Sequence, residues 1–126
     1  RVILYLYREK ELEKYLFSKE VEMFLKAYGY CGKNIEEMLD TLSERIRIFG
    51  NGETEFPHEI GVFLEYPVKD VKGFLENNGK NYVHSGYWKV YHNVQKTKKL
   101  FERYDEEKEL AVREIMLGKS IREIAV

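Results

Sequence analysis

The chain contains two prolines, Pro57 and Pro67, and each of them heads a short apolar run with helical spacing. Proline fits the first position of a helix, because the N–H that it lacks would have no partner there. The sequence therefore predicts two neighbouring helices, over residues 57–64 and 67–77. Gly61 is the small residue at which two such helices can cross closely, which is the spacing of a helix-turn-helix unit.

Similar patterns predict helices on both sides of this pair. Residues 9–17 have apolar positions at helical spacing, and Ser18, Asn34, Asn93 and Ser120 are placed to cap the helices that follow them. The apolar face of the helix after Asn34 is predicted to continue through Ile46 and Phe49. The long helix after Asn93 is predicted to bury the apolar positions Val94, Leu100, Phe101, Tyr104, Leu110, Ala111, Ile115 and Met116.

Two runs rich in β-branched and aromatic residues, 2–7 and 81–91, predict strands. Gly86, in the middle of the second run, indicates a bulge or a close backbone approach. The fold class expected is α+β, with several helices packed on a small antiparallel sheet of two or three strands. We expect one domain over 1–126. Because two strands are marginal alone, a third would come from a missing N-terminal part or from a partner.

The composition is that of a folded domain without a strong charge bias. Apolar residues make up 44% of the chain, and 21 Lys and Arg nearly balance 22 Asp and Glu. Such a balance gives no general attraction to nucleic acid or to anionic lipid. One cysteine, Cys31, cannot form an internal disulfide, and no apolar run reaches the length of a membrane span. These features predict a cytoplasmic protein that is not a membrane protein.

Four segments carry a resemblance to a known family, namely RVILYLYR, FPHEIGVFLEYPVKDVKGFLENNG, YVHSGYWKVY and KTKKLFERY, in this order. The chain resembles the bacterial family catalogued as domain of unknown function 3793 over nearly its whole length. The family is longer at the N-terminus, which implies that this chain is a portion of a longer one. Glu65 stands where the family commonly has glycine. Family genes neighbour flavodoxin-like and iron-transport genes, so the resemblance leaves open a redox- or iron-associated accessory protein or enzyme.

The predicted helix pair has two interpretations. As a DNA-binding regulator, it would present Lys69, Lys72 and Asn77 from its second helix. The outward residues of that helix also include Asp70 and Glu76, so the charge is mixed, whereas a reading helix is usually basic. The sequence favours the other interpretation, a helical corner inside a core, and disfavours nucleic acid as a partner.

Catalytic and metal-binding interpretations are weak. His58 and Glu59 resemble the start of a zinc-protease helix, but position 62 is Val62 instead of a second histidine. Glu59 is expected to act as a first-turn carboxylate that favours the helix dipole, and His58 to lie at the surface. Cys31 with a histidine as base has no recognised motif around it. The sequence thus favours a non-enzymatic protein and identifies no cofactor.

Tyrosines are concentrated on the predicted strands. If the two strands were neighbours, Tyr5, Tyr7, Tyr87 and Tyr91 would share one sheet face together with Lys89. Such a face can stack a peptide or a planar ring. The function expected is therefore binding of another protein or a small planar ligand through this tyrosine-rich sheet, with His58 and Glu59 as further candidate binding residues. The alternative is that helices cover the face and the rings belong to the core.

Overall fold

A computed structural model of the chain describes residues 4–118 and 120, and these form two compact units. Unit 1 extends to Lys80 and unit 2 begins at Asn81. The described residues contain six helices and a two-stranded antiparallel sheet, which confirms the helix-rich α+β class. The expectation of one domain over 1–126 stays a prediction.

Unit 1 consists of five helices. They are α1 (Glu9–Leu16), α2 (Lys19–Lys26), α3 (Ile35–Gly50), α4 (Ile60–Phe63) and α5 (Val68–Asn77). Unit 2 consists of a hairpin followed by one long helix, with β1 (His84–Ser85), β2 (Lys89–Val90) and α6 (Val94–Met116). Every helix in the described part of the chain is too short or too polar to cross a lipid bilayer.

The core of unit 1 forms where the apolar faces of its helices meet. Leu12 and Leu16 of α1, Leu25 of α2, Met38 of α3 and Phe63 of α4 are all almost fully buried. These residues recur at helical spacing within their own elements, so each helix contributes one stripe. Burial of such side chains is the main favourable term in folding, at roughly 1.5–3 kcal/mol each.

The two predicted caps at the N-termini of α2 and α3 differ. The Asn34 side chain accepts a hydrogen bond from the Glu37 amide at 2.9 Å, as the sequence predicts for the start of α3. Ser18 stands at the N-cap position of α2 but makes no capping bond. Its hydroxyl instead donates to the Tyr15 carbonyl at 2.6 Å, so it closes the end of the preceding helix.

The predicted close crossing between the fourth and fifth helices is present. A Cβ on Gly61 would lie 2.9 Å from Val71 Cγ2, so no larger residue fits without movement. The fourth helix is shorter than predicted, because residues 57–59 form tight i→i−3 turns before Ile60. The chain turns between α4 and α5 at Glu65, whose φ of 61° is in the left-handed region.

The apolar face of α3 is only partly covered, contrary to the sequence prediction. Ile35, Met38 and Leu42 are buried, whereas Ile46 and Phe49 on the same face are exposed. The physical reason is length. Sixteen residues make a helix of about 24 Å, whereas the eight residues of α1, which packs against it, span about 12 Å.

The predicted N-terminal strand does not form over the residues that the structure describes. Residues 4–8 are irregular, and Leu4 and Leu6 are exposed. A strand needs a neighbour to pair its backbone groups. Residues 81–91, which were expected to pair with this strand, instead form a hairpin of their own. Val2 and Ile3 lie outside the described residues.

Residues 81–91 form a hairpin and not the single strand predicted from their alternation. His84 pairs with Val90 and Ser85 with Lys89, so the chain reverses at residues 86–88. The close backbone approach expected at Gly86 is confirmed, since a Cβ there would lie 2.5 Å from Phe101 Cε2 of α6. The hairpin therefore sits directly on the long helix of its own unit.

The long helix α6 is covered over its first half. Thr97 and Phe101 are buried, and the Trp88 ring packs edge-on against Phe101 with centroids 4.6 Å apart. Leu110, Ile115 and Met116 are exposed, although the sequence predicted them to face the interior. The hairpin spans only a few residues, which explains why it cannot cover all 23 residues of α6. The helix expected after Ser120 lies outside the described residues.

Candidate functional site

The outward face of the hairpin in unit 2 carries four side chains that we call the hairpin surface, namely Tyr82, Val83, Lys89 and Tyr91. Val90 is fully buried, and side chains alternate along a strand, so Lys89 faces the opposite way. The Lys89 ammonium lies 5.0 Å from the centroid of the Tyr82 ring, within the range of a cation–π contact. Tyr82 is 44% exposed and Val83 is exposed as well.

The pKa of Tyr91 is affected by the neighbouring phenol of Tyr82. Burial, and then the charge of Tyr82, raises the pKa of Tyr91. Lys89, Tyr82 and Tyr91 therefore lie close together, and the exposed Val83 directly follows Tyr82 in the chain. The structure brings together Lys89 and Tyr91, both predicted from the sequence, and adds Tyr82 and Val83, which the sequence interpretation omitted.

Tyr87, also a predicted binding residue, lies in the turn and faces α6. Its ring centroid is 5.5 Å from that of Phe101 and 5.4 Å from that of Tyr104. Its hydroxyl donates to Asp105 Oδ1 at 2.6 Å, and this hydrogen bond is the main cause of the raised pKa of Tyr87. Tyr87 thus has a structural role, because it holds the hairpin turn on the helix.

Tyr5 and Tyr7 lie in the irregular segment of unit 1. Their rings stack with centroids 5.1 Å apart, and the Tyr5 hydroxyl donates to the Phe63 carbonyl. Burial, and then the charges of Glu65 and Tyr7, raises the pKa of Tyr5 to about 12. The shared sheet face that the sequence predicted for these tyrosines is wrong, because residues 4–8 form no strand.

Glu59 is a buried carboxylate with two partners in unit 1. Its Oε2 accepts hydrogen bonds from Arg45 Nε and, at 3.0 Å, from the Tyr30 hydroxyl. The Arg45 guanidinium lies 5.9 Å from the centroid of the Tyr28 ring. The sequence predicted Glu59 as a first-turn carboxylate and a candidate binding residue. In the structure, Glu59 forms an ion pair with Arg45 of α3.

The electrostatics of this cluster follow from burial and proximity. Burial, and then the charge of Glu59, raises the pKa of the Tyr30 phenol, so this group stays neutral and donates. Burial acts to lower the pKa of Arg45, but the hydrogen bond and charge of Glu59 outweigh it and raise that pKa. Arg45 and Glu59 therefore form a tight ion pair, and the carboxylate has little surface left for a ligand.

His58 lies in a row of rings on the surface of unit 1. Its ring centroid is 5.1 Å from that of Phe56 and 4.9 Å from that of Phe74. Phe56 in turn meets Phe49, the last ring of α3, edge-on at 5.2 Å. Phe49 is 40% and Phe56 43% exposed. We call Phe49, Phe56 and His58, with Phe74 beside them, the phenylalanine surface.

The sequence interpretation found only His58 of this surface. Phe49 was assigned to a core face, and no role was predicted for Phe56. One signal was present, because three aromatic residues fall within ten positions, 49 to 58, and the segment between them is rich in turn residues.

The residues expected to read DNA are mostly engaged within unit 1. Lys72 forms an ion pair with Glu20 of α2 at 3.8 Å. The Asn77 side chain donates to the Gly73 carbonyl of its own helix at 2.8 Å. Lys69 is exposed. The second helix buries Val68 and Val71 in the core, as expected for a helical corner.

Cys31 is the remaining candidate for chemistry. Cys31 is a free, exposed thiol in the loop before α3. Among residues 4–118 and 120, no group of three or more His, Cys, Asp or Glu is arranged to hold a metal ion.

The fold and these surfaces define a class of protein, a helix-rich α+β protein with aromatic side chains exposed on each of its two units. The chain belongs to the family described as "Protein of unknown function (DUF3793)", whose sequence model matches residues 1–125. The family resemblance predicted from four sequence segments is thereby confirmed. No curated protein and no solved structure matches the chain significantly.

Proposed function

We propose that the protein is a non-enzymatic, cytoplasmic binding domain that recognises another protein through the hairpin surface. The observation that supports this most directly is the exposed Tyr82 ring beside Val83 and the Lys89 ammonium. Tyrosine is favoured at binding surfaces, because it supplies a large apolar ring and a polar hydroxyl at low cost in side-chain entropy.

A protein partner suits this surface better than a small planar ligand. The four side chains belong to a hairpin of two strands, and neither strand pairs with a third within the part of the chain that the structure describes. Small-molecule sites are usually concave, whereas an open strand edge can pair with an extended segment of a partner. On the inner side, Trp88 and Tyr87 hold the hairpin on α6, so the surface is ordered before it binds.

The proposal can be tested by site-specific photocrosslinking in cells that contain the protein. A benzophenone amino acid at the exposed Val83 is expected to capture a partner, and the same group at the exposed Glu102 on α6 is not. With the captured partner purified, calorimetry should give at least tenfold weaker binding for Tyr82→Ala/Lys89→Ala and no change for Glu102→Ala. An affinity within twofold of wild type for the double variant would refute the hairpin surface.

Flavin mononucleotide serves as the probe for the planar-ligand alternative. The chain has one tryptophan, Trp88, so a flavin bound to the hairpin should quench its fluorescence. We expect no saturable quenching below millimolar flavin. Saturable quenching that Tyr82→Ala abolishes would instead assign the hairpin surface to a planar ligand.

Two further alternatives have their own tests. An anisotropy titration with mixed-sequence duplex DNA at low salt is expected to show no binding, since phosphate contacts dominate under those conditions. Salt-sensitive binding that Lys69→Ala weakens would restore the regulator interpretation. For a redox or iron role, the purified protein is expected to be colourless and free of stoichiometric iron, and a coloured preparation would contradict the present proposal.

A further inference from the structure

We propose that the phenylalanine surface of unit 1 is a second binding site, which accepts a basic and apolar peptide segment of a partner protein. It is independent of the hairpin surface, because it belongs to unit 1 and uses none of the hairpin residues. The inference rests on two observations, a row of exposed aromatic rings and an acidic segment, residues 49–58, that contains no lysine or arginine.

The rings are exposed because α3 is longer than α1, which packs on it. Its apolar face is buried up to Leu42 and then continues uncovered through Ile46 and Phe49. Phe56 packs edge-on against Phe49, with an interplanar angle of 89°, and so extends the apolar surface beyond the helix. Edge-to-face contacts hold rings in defined positions. The surface is therefore ordered in the free protein.

The chain segment that carries Phe49, Phe56 and His58 is acidic. Residues 49–58, FGNGETEFPH, contain two carboxylates and no lysine or arginine. The Glu53 amide donates to the Ile48 carbonyl at 3.2 Å, which holds Glu53 at the end of α3, and Glu55 directly precedes Phe56. Both carboxylates are exposed. The C-terminal end of α3 adds the negative end of its dipole.

The nearest arginines of α3 do not offset this charge. Arg45 forms the ion pair with Glu59, and Arg47 contacts Glu44 at 2.5 Å. Exposed phenyl faces attract lysine and arginine side chains, and the neighbouring carboxylates attract the same groups. An acidic peptide would be repelled. Charge and apolar surface together therefore select a segment that carries both apolar and basic side chains.

The test uses the full chain and two fluorescein-labelled probe peptides, LKKLLKLLKKLLKL and its counterpart LEELLELLEELLEL. They have the same length and apolar pattern and differ only in charge. We expect the lysine peptide to bind at least tenfold more tightly than the glutamate peptide in fluorescence anisotropy at moderate salt. We also expect its affinity to fall several-fold between 50 and 500 mM NaCl, because salt screens exposed charges.

Variants assign the binding to the surface. Phe49→Ala/Phe56→Ala should weaken binding of the lysine peptide at least tenfold, and Glu53→Gln/Glu55→Gln about threefold to tenfold. Phe56→Leu keeps the bulk and removes the ring, so it should fold like wild type and still bind more weakly. Leu110→Ala/Met116→Ala removes exposed apolar groups from α6 and is the matched control, with no change expected.

Each alternative result would overturn the proposal. Equal affinities for the two peptides would exclude selection by charge, and no binding of either would exclude the site. If peptide binding survives in Phe49→Ala/Phe56→Ala but is lost in Leu110→Ala/Met116→Ala, the peptide binds to α6 and not to the phenylalanine surface. Tyr82→Ala/Lys89→Ala should leave peptide binding unchanged, so failure of the hairpin proposal and failure of this one can be told apart.

Discussion

The buried ion pair between Glu59 and Arg45 leads to the sharpest stability prediction, because its two partners differ in exposure. The Glu59 side chain is 1% exposed and that of Arg45 is 36% exposed. Replacing Arg45 with methionine leaves a buried carboxylate with only the Tyr30 hydroxyl as an identified partner. Replacing Glu59 with glutamine leaves a cation that can turn toward water. We therefore expect Arg45→Met to be the more harmful change.

The magnitudes follow from the burial of each partner. Removing one partner of a fully buried pair costs about 3–5 kcal/mol. Since Arg45 is partly exposed and water can enter at its position, we expect about 2–3 kcal/mol for Arg45→Met. Glu59→Gln keeps an oxygen for Tyr30 and should cost about 1 kcal/mol. The double variant buries no charge, so it should be more stable than Arg45→Met alone, which is a non-additive result.

The assay is urea unfolding followed by circular dichroism at 222 nm, with the four proteins of the cycle compared in one buffer. At a slope of roughly 1–3 kcal/mol per molar urea, the expected loss for Arg45→Met lowers the midpoint by about 0.7–3 M. The reasoning is refuted if Glu59→Gln is as harmful as Arg45→Met, or if the two changes simply add. Additivity would mean that the pair contributes no coupling energy.

Three further changes test local features. Gly86→Ala places a Cβ 2.5 Å from the phenylalanine ring beneath the hairpin and should cost about 1–3 kcal/mol by urea unfolding, whereas Gly50→Ala meets no atom within 4 Å and should be nearly neutral. Asn34→Ala removes a true cap and should cost about 1 kcal/mol, more than Ser18→Ala, which removes none; equal losses would contradict the assignment. Burial raises the pKa of the Tyr15 phenol from its ordinary 10 to about 12. The stabilisation that goes with the neutral phenol, on the order of 2 kcal/mol, is therefore complete below pH 10 and is lost as the pH rises from 10 to 12. In Tyr15→Phe, the urea midpoint should fall less steeply between pH 10 and pH 12 than in the wild type. An unchanged pH dependence of the midpoint would contradict this role of Tyr15.

Local features of the fold could be predicted from the sequence. The starts of α3 and α5 follow from Asn34 and Pro67, since a cap or a proline acts within its own turn. The crossing at Gly61 follows from its small size between apolar neighbours. These signals depend on residues that are close in sequence, and they need no knowledge of the rest of the fold.

Features that depend on distant partners could not be predicted. The alternation of residues 81–91 continues through Gly86, so nothing in the pattern distinguishes one strand from a hairpin. Glu59 takes its role from Arg45, which lies on another helix. Phe49 has the spacing of a core residue, and only the length of α1 determines that it stays uncovered.

The same division applies to the candidate sites. Lys89 and Tyr91 share a patch because they are two residues apart on one chain segment. Tyr5 and Tyr7 were added on the assumption that two strands pair, and residues 4–8 form no strand. Tyr87 belongs to the same segment as Lys89 and Tyr91 but faces α6, so alternation within one segment predicted only part of the surface.

The left-handed backbone at Glu65 shows what determines the corner between α4 and α5. An L-residue in that conformation costs about 1–2 kcal/mol relative to glycine, so glutamate does not itself favour the bend. The path is imposed from outside, by the tight fit of Gly61 on Val71 and by the Tyr15 hydroxyl, which donates to the Tyr66 carbonyl at 2.5 Å. Replacement of residue 65 should therefore change the stability of the corner without changing the path of the chain. Substitutions at this position could thus adjust the stability of the protein and leave both proposed surfaces intact.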